Sequence, residues 1–366
     1  MNEYYFNKLV AEINNVGLDA LLIAPSEDLL FIMDFFPIFC ERFQGLFVTK
    51  EGDYFYICNL LTEAEAAEYL PNKKVYSWFD GDGFIDTVNR AFTENNLIGK
   101  TIGVSAAVRA YNILEIVDKI DIKWVSARHL CHEIRIHKTY EEMEGLRGAA
   151  KIADKALEEL IPQIKPGMTE GEVRSILINN MLSLGGINAR GLVASGPNSG
   201  FPHYNLTSRV IKEGDAIVID FGCEYKRVRS DITRTIFVGE PTEEQRKVYD
   251  LVRAANEAAE KVAVDGAWIP DIDAAARNII DAAGYKDKFT TRLGHGIGYL
   301  GHEAPDIKKN NERRLEPCMA FTIEPGIYIE HNFGVRIEDV VLINDKGETE
   351  ILNQFTKDMI IIKKTT

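Results

Sequence analysis

Basic residues are in deficit in this chain, and it has no long uncharged apolar stretch. Lys and Arg number 42 against 56 Asp and Glu, which gives a formal net charge of −14. Such a balance repels phosphate backbones and anionic lipid headgroups, so it argues against nucleic acid or a membrane surface as the partner. The most apolar segment, at 29–40, is short and contains Asp34 and Pro37, so it does not predict a transmembrane helix.

Cysteine is scarce and irregularly placed. The five residues are an odd number, lie far apart and form no CxxC pair, which argues against a zinc ribbon or a redox couple. We interpret them as reduced, packed thiols. The first residues, MNEYYFNKLVAEI, show no basic region followed by an apolar stretch, so we expect no export signal and a cytoplasmic protein.

What the chain does have is the composition of a soluble globular protein, with 46% hydrophobic and 27% charged residues over 366 positions. This length favours two domains. Up to about residue 125, short β-type runs alternate with segments of helical period, which predicts a small α/β domain over 1–130. A larger domain is predicted over 131–366. The β-type runs are LDALLIA, GLFVTK, YFYIC, TIGVS and IKWVS.

Capping boxes predict two helices in the second domain. Thr139 with Glu142, and Thr169 with Glu172, have the T-x-x-E spacing that closes a helix N-terminus. After the first box the apolar positions follow a 3.6-residue period, which predicts one buried helix face. These positions are Met143, Leu146, Ala149, Ala153, Ala156, Leu157 and Leu160.

The second domain also shows a weak internal duplication, in which helix, helix, strand and hairpin occur twice. KEGDAIVIDFG at 212–222 is similar to LEPCMAFTIEPG at 315–326, since each turn leads into a β-run that ends in a carboxylate and glycine. This repeat places Asp220 and Glu324 at corresponding points of two halves. The alternative is that any two β-hairpins share these features.

Two aspartates flank the first predicted hairpin. Asp220 ends a β-branched stretch, Asp231 opens the next strand, and a hairpin between them would set the two side by side. Like charges at that distance are unfavourable unless a cation lies between them. The alternative is that strand-end aspartates cap turns.

The second hairpin repeats the pattern. Glu324 precedes a Pro-Gly turn, and alternation places Arg336 and Glu338 on one face, where they could instead form an ion pair. His295 lies in a glycine-flanked turn, RLGHGIGYLGHEAP, with His302 seven residues later. Glycines let the backbone approach a bound group, although a single histidine is more often a packing residue.

Together these candidates are four carboxylates and one imidazole. Four carboxylates neutralise two divalent cations, and oxygen ligands with one nitrogen suit Mn²⁺ or Co²⁺, with Fe²⁺ or Zn²⁺ as further options. Two such ions can hold a water as hydroxide and polarise a carbonyl, which is hydrolytic chemistry.

Five blocks of the chain resemble the pita-bread metallopeptidases, a family that includes prolidase, aminopeptidase P, methionine aminopeptidase and the metal-free creatinases. The blocks occur in the family order over roughly 130–366, and the first domain resembles the creatinase/prolidase N-terminal module. They are ASGPNSGFPHY, IDFGCEYKRVRSDITRT, GHGIGYLGHEAP, IEPGIY and GVRIED. The resemblance implies an α+β fold, with a duplicated pita-bread domain after a smaller α/β domain, and often a homodimer.

The resemblance also implies the residue roles. The implied metal ligands are Asp220, Asp231, His295, Glu324 and Glu338, and the implied substrate-site residues are His203, His302, Glu324 and Arg336. The expected substrates are short peptides with proline at the second position, cleaved before the proline by a metal-bridging hydroxide. In this hypothesis Glu324 accepts the proton of the water, while His203 and His302 stabilise the oxyanion or relay protons.

Three alternatives stay open from the sequence. The same scaffold could hydrolyse a small non-peptide amide, it could be a non-enzymatic binding protein, or its inward acids could be satisfied by Arg234 and Arg336 without a metal. The ligand set is complete, unlike that of the creatinases, and methionine aminopeptidases usually lack the first domain. The chain departs from the family at RVRS, 227–230, where relatives often carry Gly-Tyr, so the pocket rim there is open to question.

Overall fold

The computed structural model describes residues 1–70, 73–204 and 206–363. The chain forms two compact units, Met1–Arg135 and Ile136–Thr366. Within the described residues, no helix combines the length and apolar character needed to cross a bilayer.

The first unit contains one six-stranded mixed sheet with the strand order β4-β3-β2-β1-β5-β6. Its strands are β1 (Ala20–Ile23), β2 (Gly45–Thr49), β3 (Tyr54–Asn59), β4 (Val75–Trp78), β5 (Thr101–Val104) and β6 (Lys123–Ser126). Its helices are α1 (Glu3–Asn15), α2 (Glu27–Met33), α3 (Glu63–Tyr69), α4 (Ile85–Glu94), α5 (Ala110–Val117) and α6 (Leu130–Glu133).

The α/β prediction for this unit is confirmed, since each of the five β-type runs forms a strand. β4 was not predicted, because VYSW is a short segment with only two buried residues, Tyr76 and Trp78. Its aromatic side chains pack in the same core cluster as Phe47 and Phe55, whose rings stack with centroids 5.0 Å apart.

The second unit has four long helices: α7 (Tyr140–Leu160), α8 (Glu170–Ser183), α9 (Glu243–Val262) and α10 (Ile269–Ala282). Its first six strands are β7 (Ile187–Ser195), β8 (Ala216–Tyr225), β9 (Val228–Arg229), β10 (Ile232–Val238), β11 (Gly294–Gly296) and β12 (Glu303–Ile307). The remaining strands are β13 (Ala320–Ile323), β14 (Gly326–Ile329), β15 (Phe333–Arg336), β16 (Asp339–Ile343), β17 (Thr349–Ile351) and β18 (Ile360–Ile362).

The internal duplication is confirmed by the topology of this unit. In the first half α7 packs on α8, and the strands run in the order β10-β8-β7; in the second half α9 packs on α10, and the order is β16-β13-β11. Every pairing within these two triplets is antiparallel. β8 and β13 are therefore the central strands of two equivalent halves, as the similarity of 212–222 and 315–326 predicts.

Both predicted capping boxes are present. Thr139 accepts from the Glu142 backbone N–H while the Glu142 carboxylate accepts from the Thr139 N–H, and the same exchange occurs at the start of α8. The seven predicted apolar positions of α7 are all buried. In WIPDIDAAARNIIDAAGY, Asp271 is a plausible N-cap by sequence, but α10 begins earlier, at Ile269, because proline is tolerated in the first turn of a helix.

Candidate metal centre

Asp220 and Asp231 come from the β8–β10 hairpin of the first half. β8 does not end at Asp220 as expected; it continues to Tyr225, because the pairing of β8 with β7 and β9 extends beyond the aspartate. In this register Asp220 lies opposite Thr233, and Asp231 directly precedes β10. Residues two positions apart along a strand share a face, so the two carboxylates are diagonal neighbours on one side of the sheet.

The second half supplies the other three predicted ligands. Glu324 directly follows β13, and its backbone N–H donates to the Leu293 carbonyl at 2.8 Å. His295 lies in β11, with its backbone N–H donating to the Thr322 hydroxyl at 3.2 Å. Glu338 lies between β15 and β16, and its backbone N–H donates to the Thr233 carbonyl at 3.0 Å, which joins it to the first half.

The donor atoms of these side chains converge. In each of three groups the donor atoms lie within 4.8 Å of one another: Asp220, Asp231 and Glu338; His295, Glu324 and Glu338; and Asp231, His295 and His302. The structure therefore brings all five predicted ligands together, although their role as ligands stays a prediction.

Burial makes this arrangement electrostatically costly without a cation. Asp231, His295 and Glu338 are each 5% exposed or less. Burial and then the neighbouring Asp220 raise the pKa of Asp231 well above its ordinary value, and burial and then Asp231 do the same for Glu338. Burial is also the main cause that raises the pKa of Glu324 to about 7.

Divalent cations fit this donor set. Buried carboxylates with raised pKa values are stabilised by a nearby positive charge, and carboxylate oxygens with one imidazole are typical ligands of first-row divalent ions. Burial lowers the pKa of His295 well below its usual range, so the ring is neutral and has a nitrogen lone pair for a metal. Its Nε2 lies 3.3 Å from Glu324 Oε1.

The alternative in which Arg336 forms an ion pair with Glu338 is wrong. Arg336 is buried and donates to Asp220 Oδ2 at 2.6 Å and to Tyr328 Oη at 2.8 Å, whereas Glu338 Oε2 accepts from the Thr233 hydroxyl at 2.6 Å. Since β15 ends at Arg336, the strand alternation that would place the two side chains together is broken before Glu338.

The other basic residues do not neutralise the cluster either. Arg234 donates to Asp339 Oδ1 and to the Glu338 main-chain carbonyl, each at 2.7 Å. Its charge is therefore paired with Asp339 and not with a carboxylate of the cluster. Arg190, half-exposed, lies 3.3 Å from Asp231 Oδ2. Two guanidinium groups thus face four carboxylates, too few to balance the cluster when all four are ionised.

His203 and His302 both line the same cleft, which has a volume of about 520 Å³. The ring of His302 lies against that of His295, with centroids 4.0 Å apart. Burial and then the nearby Arg292 lower the pKa of His302 to about 4, so its ring is neutral at physiological pH. His203 lies in the loop after the short helix Gly196–Gly200.

Further cleft residues were missed by sequence reasoning. Asp306 accepts from Arg292 at 2.8 Å and from Lys308 at 2.6 Å, so one carboxylate is shared by two cations. Arg292 lies three residues before His295, and Asp306 and Lys308 follow the GHEAP block. Their closeness in sequence to these motifs could have identified them as cleft residues. The other unpredicted lining residues are Pro202, Thr291 and Tyr328.

Known proteins match this chain from end to end. The Xaa-Pro dipeptidase of Pyrococcus furiosus is 33% identical over 348 residues, 93% of this chain and 95% of its own. The Xaa-Pro dipeptidase of Pyrococcus horikoshii is 32% identical, over 96% of this chain and 97% of its own. The crystal structure of prolidase from Thermococcus sibiricus superposes with a TM-score of 0.90 at 31% identity, covering 99% of this chain and 98% of that one.

Family matches cover both units. Residues 6–137 match the creatinase/prolidase N-terminal domain, and residues 144–345 match metallopeptidase family M24. The second match alone spans more than half of the chain and contains every predicted ligand. The protein therefore belongs to the pita-bread metallopeptidases of family M24, a membership that implies a hydrolase with divalent metal ions, and it carries the creatinase/prolidase N-terminal domain.

Proposed function

We propose that this protein hydrolyses the peptide bond between an N-terminal residue and proline, with two divalent ions bound by Asp220, Asp231, His295, Glu324 and Glu338. The observation that carries the proposal is the convergence of these five donor side chains in one cleft. The end-to-end match to proteins named Xaa-Pro dipeptidases supports the choice of substrate.

The grouping of the donor atoms supports two ions rather than one. Asp220 and Asp231 share Glu338 with the second group, which His295 and Glu324 complete. Glu338 belongs to both groups, so it would help to hold both ions. A shell of oxygens with one nitrogen favours Mn²⁺, with Co²⁺ next and Fe²⁺ or Zn²⁺ as further options. Held by these residues, such ions would supply Lewis-acid chemistry, lowering the pKa of the attacking water and polarising the scissile carbonyl.

The chain's own residues complete the chemistry. Glu324 accepts the proton from the attacking water, and its partial exposure leaves it accessible to the cleft. His302 and His203 donate ring N–H groups to the oxyanion that develops on the scissile carbonyl. Arg336, through its hydrogen bond to Asp220 Oδ2, holds that carboxylate in a fixed orientation.

Dipeptides are the better fit among the possible peptides. Arg292 and Lys308 share the single carboxylate of Asp306, so this wall of the cleft carries one net positive charge. A dipeptide ending in proline brings a free carboxylate within a few ångströms of its scissile bond, whereas a longer peptide brings an uncharged amide there. Proline has no N–H at the scissile bond, so recognition there has to come from the shape of the ring.

The test is metal depletion followed by reloading. The chelated protein should be inactive, and Mn²⁺ or Co²⁺ should restore cleavage of an Xaa-Pro dipeptide more than of an Xaa-Pro-Yaa tripeptide or an Xaa-Ala dipeptide. Asp231→Ala should lose metal and activity, whereas Asp345→Ala, at an exposed position, serves as the matched control. Absence of cleavage of both proline peptides would refute the substrate, and full activity of Asp231→Ala would refute the metal site.

Homodimer formation, by analogy with relatives of this fold, and a cytoplasmic location, on the basis of the scattered free cysteines, complete the proposal. Light scattering coupled to size-exclusion chromatography tests the first: a mass of one chain, close to 41.2 kDa, would contradict it.

A further inference from the structure

A buried ion pair lies next to His302. Lys138, just before α7, donates its Nζ to Oε1 of Glu303, the first residue of β12. The side chains of Lys138 and Glu303 are 1% and 0% exposed, so water screens neither charge. Glu303 directly follows His302 in the chain, which places this pair at the base of the turn that carries the histidine.

The same carboxylate organises that turn. The second oxygen of Glu303 accepts from the Leu300 backbone N–H at 3.2 Å, and Glu303 is paired with Gly296 across the β11–β12 ladder. A Cβ added to Gly298 would lie 2.5 Å from Glu303 Oε1 and 2.8 Å from Lys138 Nζ, so the turn backbone packs directly on the ion pair. The conformation of 297–302 therefore depends on where these two charges lie.

Lys138 is in turn fixed to the strand that leads to Glu324. Its backbone N–H donates to the Cys318 carbonyl at 2.7 Å, and the preceding residue, His137, forms a β-bridge with Met319. β13 begins at the next residue and ends directly before Glu324. One buried pair thus links the His302 turn to the strand that leads to Glu324.

Stability alone is a weak reason to bury such a pair, since the desolvation cost of two charges offsets most of their attraction. We propose that Lys138 and Glu303 are positioning residues, which hold the turn 297–302 so that the His302 ring stays against His295 and faces the scissile carbonyl. The proposal rests on the proposed function, because it requires His302 to act on a peptide substrate.

The experiment separates positioning from folding by removing both charges together. Lys138→Met or Glu303→Gln alone removes one charge of the buried pair and should lower Tm strongly, whereas the double variant should recover most of that loss. In the manganese-loaded double variant kcat for an Xaa-Pro dipeptide should fall about 10- to 100-fold, with KM and metal content unchanged, because a misplaced catalytic group costs rate. The control is Arg147→Met/Glu350→Gln, which removes both charges of a partly exposed ion pair that lies outside the cleft lining.

Repeating the double substitution in a His302→Ala background shows through which residue the pair acts. If it acts through His302, kcat should change less than about twofold there, since effects exerted through one residue are not additive. A folded double variant with full kcat would overturn the proposal, and so would the same loss of kcat in both backgrounds.

A spectroscopic measurement keeps the proposal independent of the substrate. In metal-free protein labelled with [15N]histidine, the ring signals of His302, assigned by their loss in His302→Ala, should shift in the double variant and stay unchanged in the Arg147/Glu350 control. Unchanged His302 signals would overturn the positioning role. If the His302 signals shift in the double variant but the wild-type protein cleaves no proline peptide, the proposed function is refuted and the positioning role is not.

Discussion

Glu324 provides a test of the metal centre that needs no substrate. Its ordinary pKa of 4.5 is raised to about 7, with burial as the largest cause. Because the folded-state pKa is the higher one, the protonated carboxyl stabilises the metal-free fold fully below pH 4.5. This contribution is lost as the pH rises to about 7. A difference of about 2.5 units corresponds to about 3 kcal/mol of unfolding free energy, at about 1.4 kcal/mol per unit.

The assay is urea denaturation of metal-free protein at several pH values between 4.5 and 8. Charge repulsion in a chain of net charge −14 also lowers stability as the pH rises, so Glu324→Gln is measured in parallel. Glutamine cannot ionise there, and the wild type should therefore lose about 3 kcal/mol more than the variant over this range. Equal losses of unfolding free energy in the two proteins would refute the raised pKa of Glu324. A smaller loss in the wild type would mean that its pKa is lowered instead.

Bound metal should have the opposite dependence on pH. Cations compete with protons for the same carboxylates, so the stability gained on adding Mn²⁺ should increase with pH. At a free concentration of 100 times the dissociation constant, one bound ion contributes about 2.7 kcal/mol. A stability gain that is independent of pH would mean that the ion binds outside the carboxylate cluster.

Three further substitutions test other parts of the site and fold. Arg336→Met removes the donor at 2.6 Å from Asp220, so metal affinity should fall about 10- to 100-fold in chelator competition. Arg292→Met should raise KM about tenfold for an Xaa-Pro dipeptide but leave KM for its C-terminal amide unchanged, since only the free acid can pair with that guanidinium. Leu157→Ala, in the buried face of α7, should cost about 2–5 kcal/mol in urea denaturation without changing kcat.

Matched controls sharpen these three tests. Arg314→Met and Lys309→Met remove exposed cations outside the cleft lining, and Leu182→Ala truncates an exposed leucine of α8; each should have little effect. Unchanged metal affinity in Arg336→Met would show that Asp220 binds metal without the hydrogen bond from Arg336. Equal rises in KM for acid and amide in Arg292→Met would remove the carboxylate contact, and a loss below about 1 kcal/mol in Leu157→Ala would contradict the packing argument.

Patterns repeated along the chain were the parts of the structure that the sequence could predict. The T-x-x-E boxes, the 3.6-residue period of α7 and the hairpins around Asp220 and Glu324 are local, and local hydrogen bonding determines each of them. The convergence of the five proposed ligands was predicted from the charge of the inward carboxylates together with the resemblance to the pita-bread metallopeptidases. The bounds of β8 were not predicted, since pairing with β7 and β9 carries the strand past Asp220.

The sequence could not predict which distant side chains pair with each other. Arg336 pairs with Asp220, 116 positions away, rather than with Glu338 two positions away, and only the tertiary structure decides between these partners. Lys138 and Glu303 are 165 positions apart, and neither lies on a face that a period would mark as buried. Charged residues seen alone in a sequence are most often surface residues, so a buried ion pair gives no local signal.

The duplicated scaffold explains why the charges meet in one place and why the two proposed metal positions differ. Each half presents carboxylates from its central strand and the strand beside it, so two equivalent halves set four acids facing one cleft. The flanking strands break this symmetry: β7 supplies Arg190, 3.3 Å from Asp231, and β11 supplies His295, 3.3 Å from Glu324. A guanidinium only neutralises, whereas a neutral imidazole donates a lone pair. The proposed nitrogen ligand therefore comes from the second half alone, so we expect the two proposed ions to exchange at different rates, which competition with a chelator would measure as two phases of metal release.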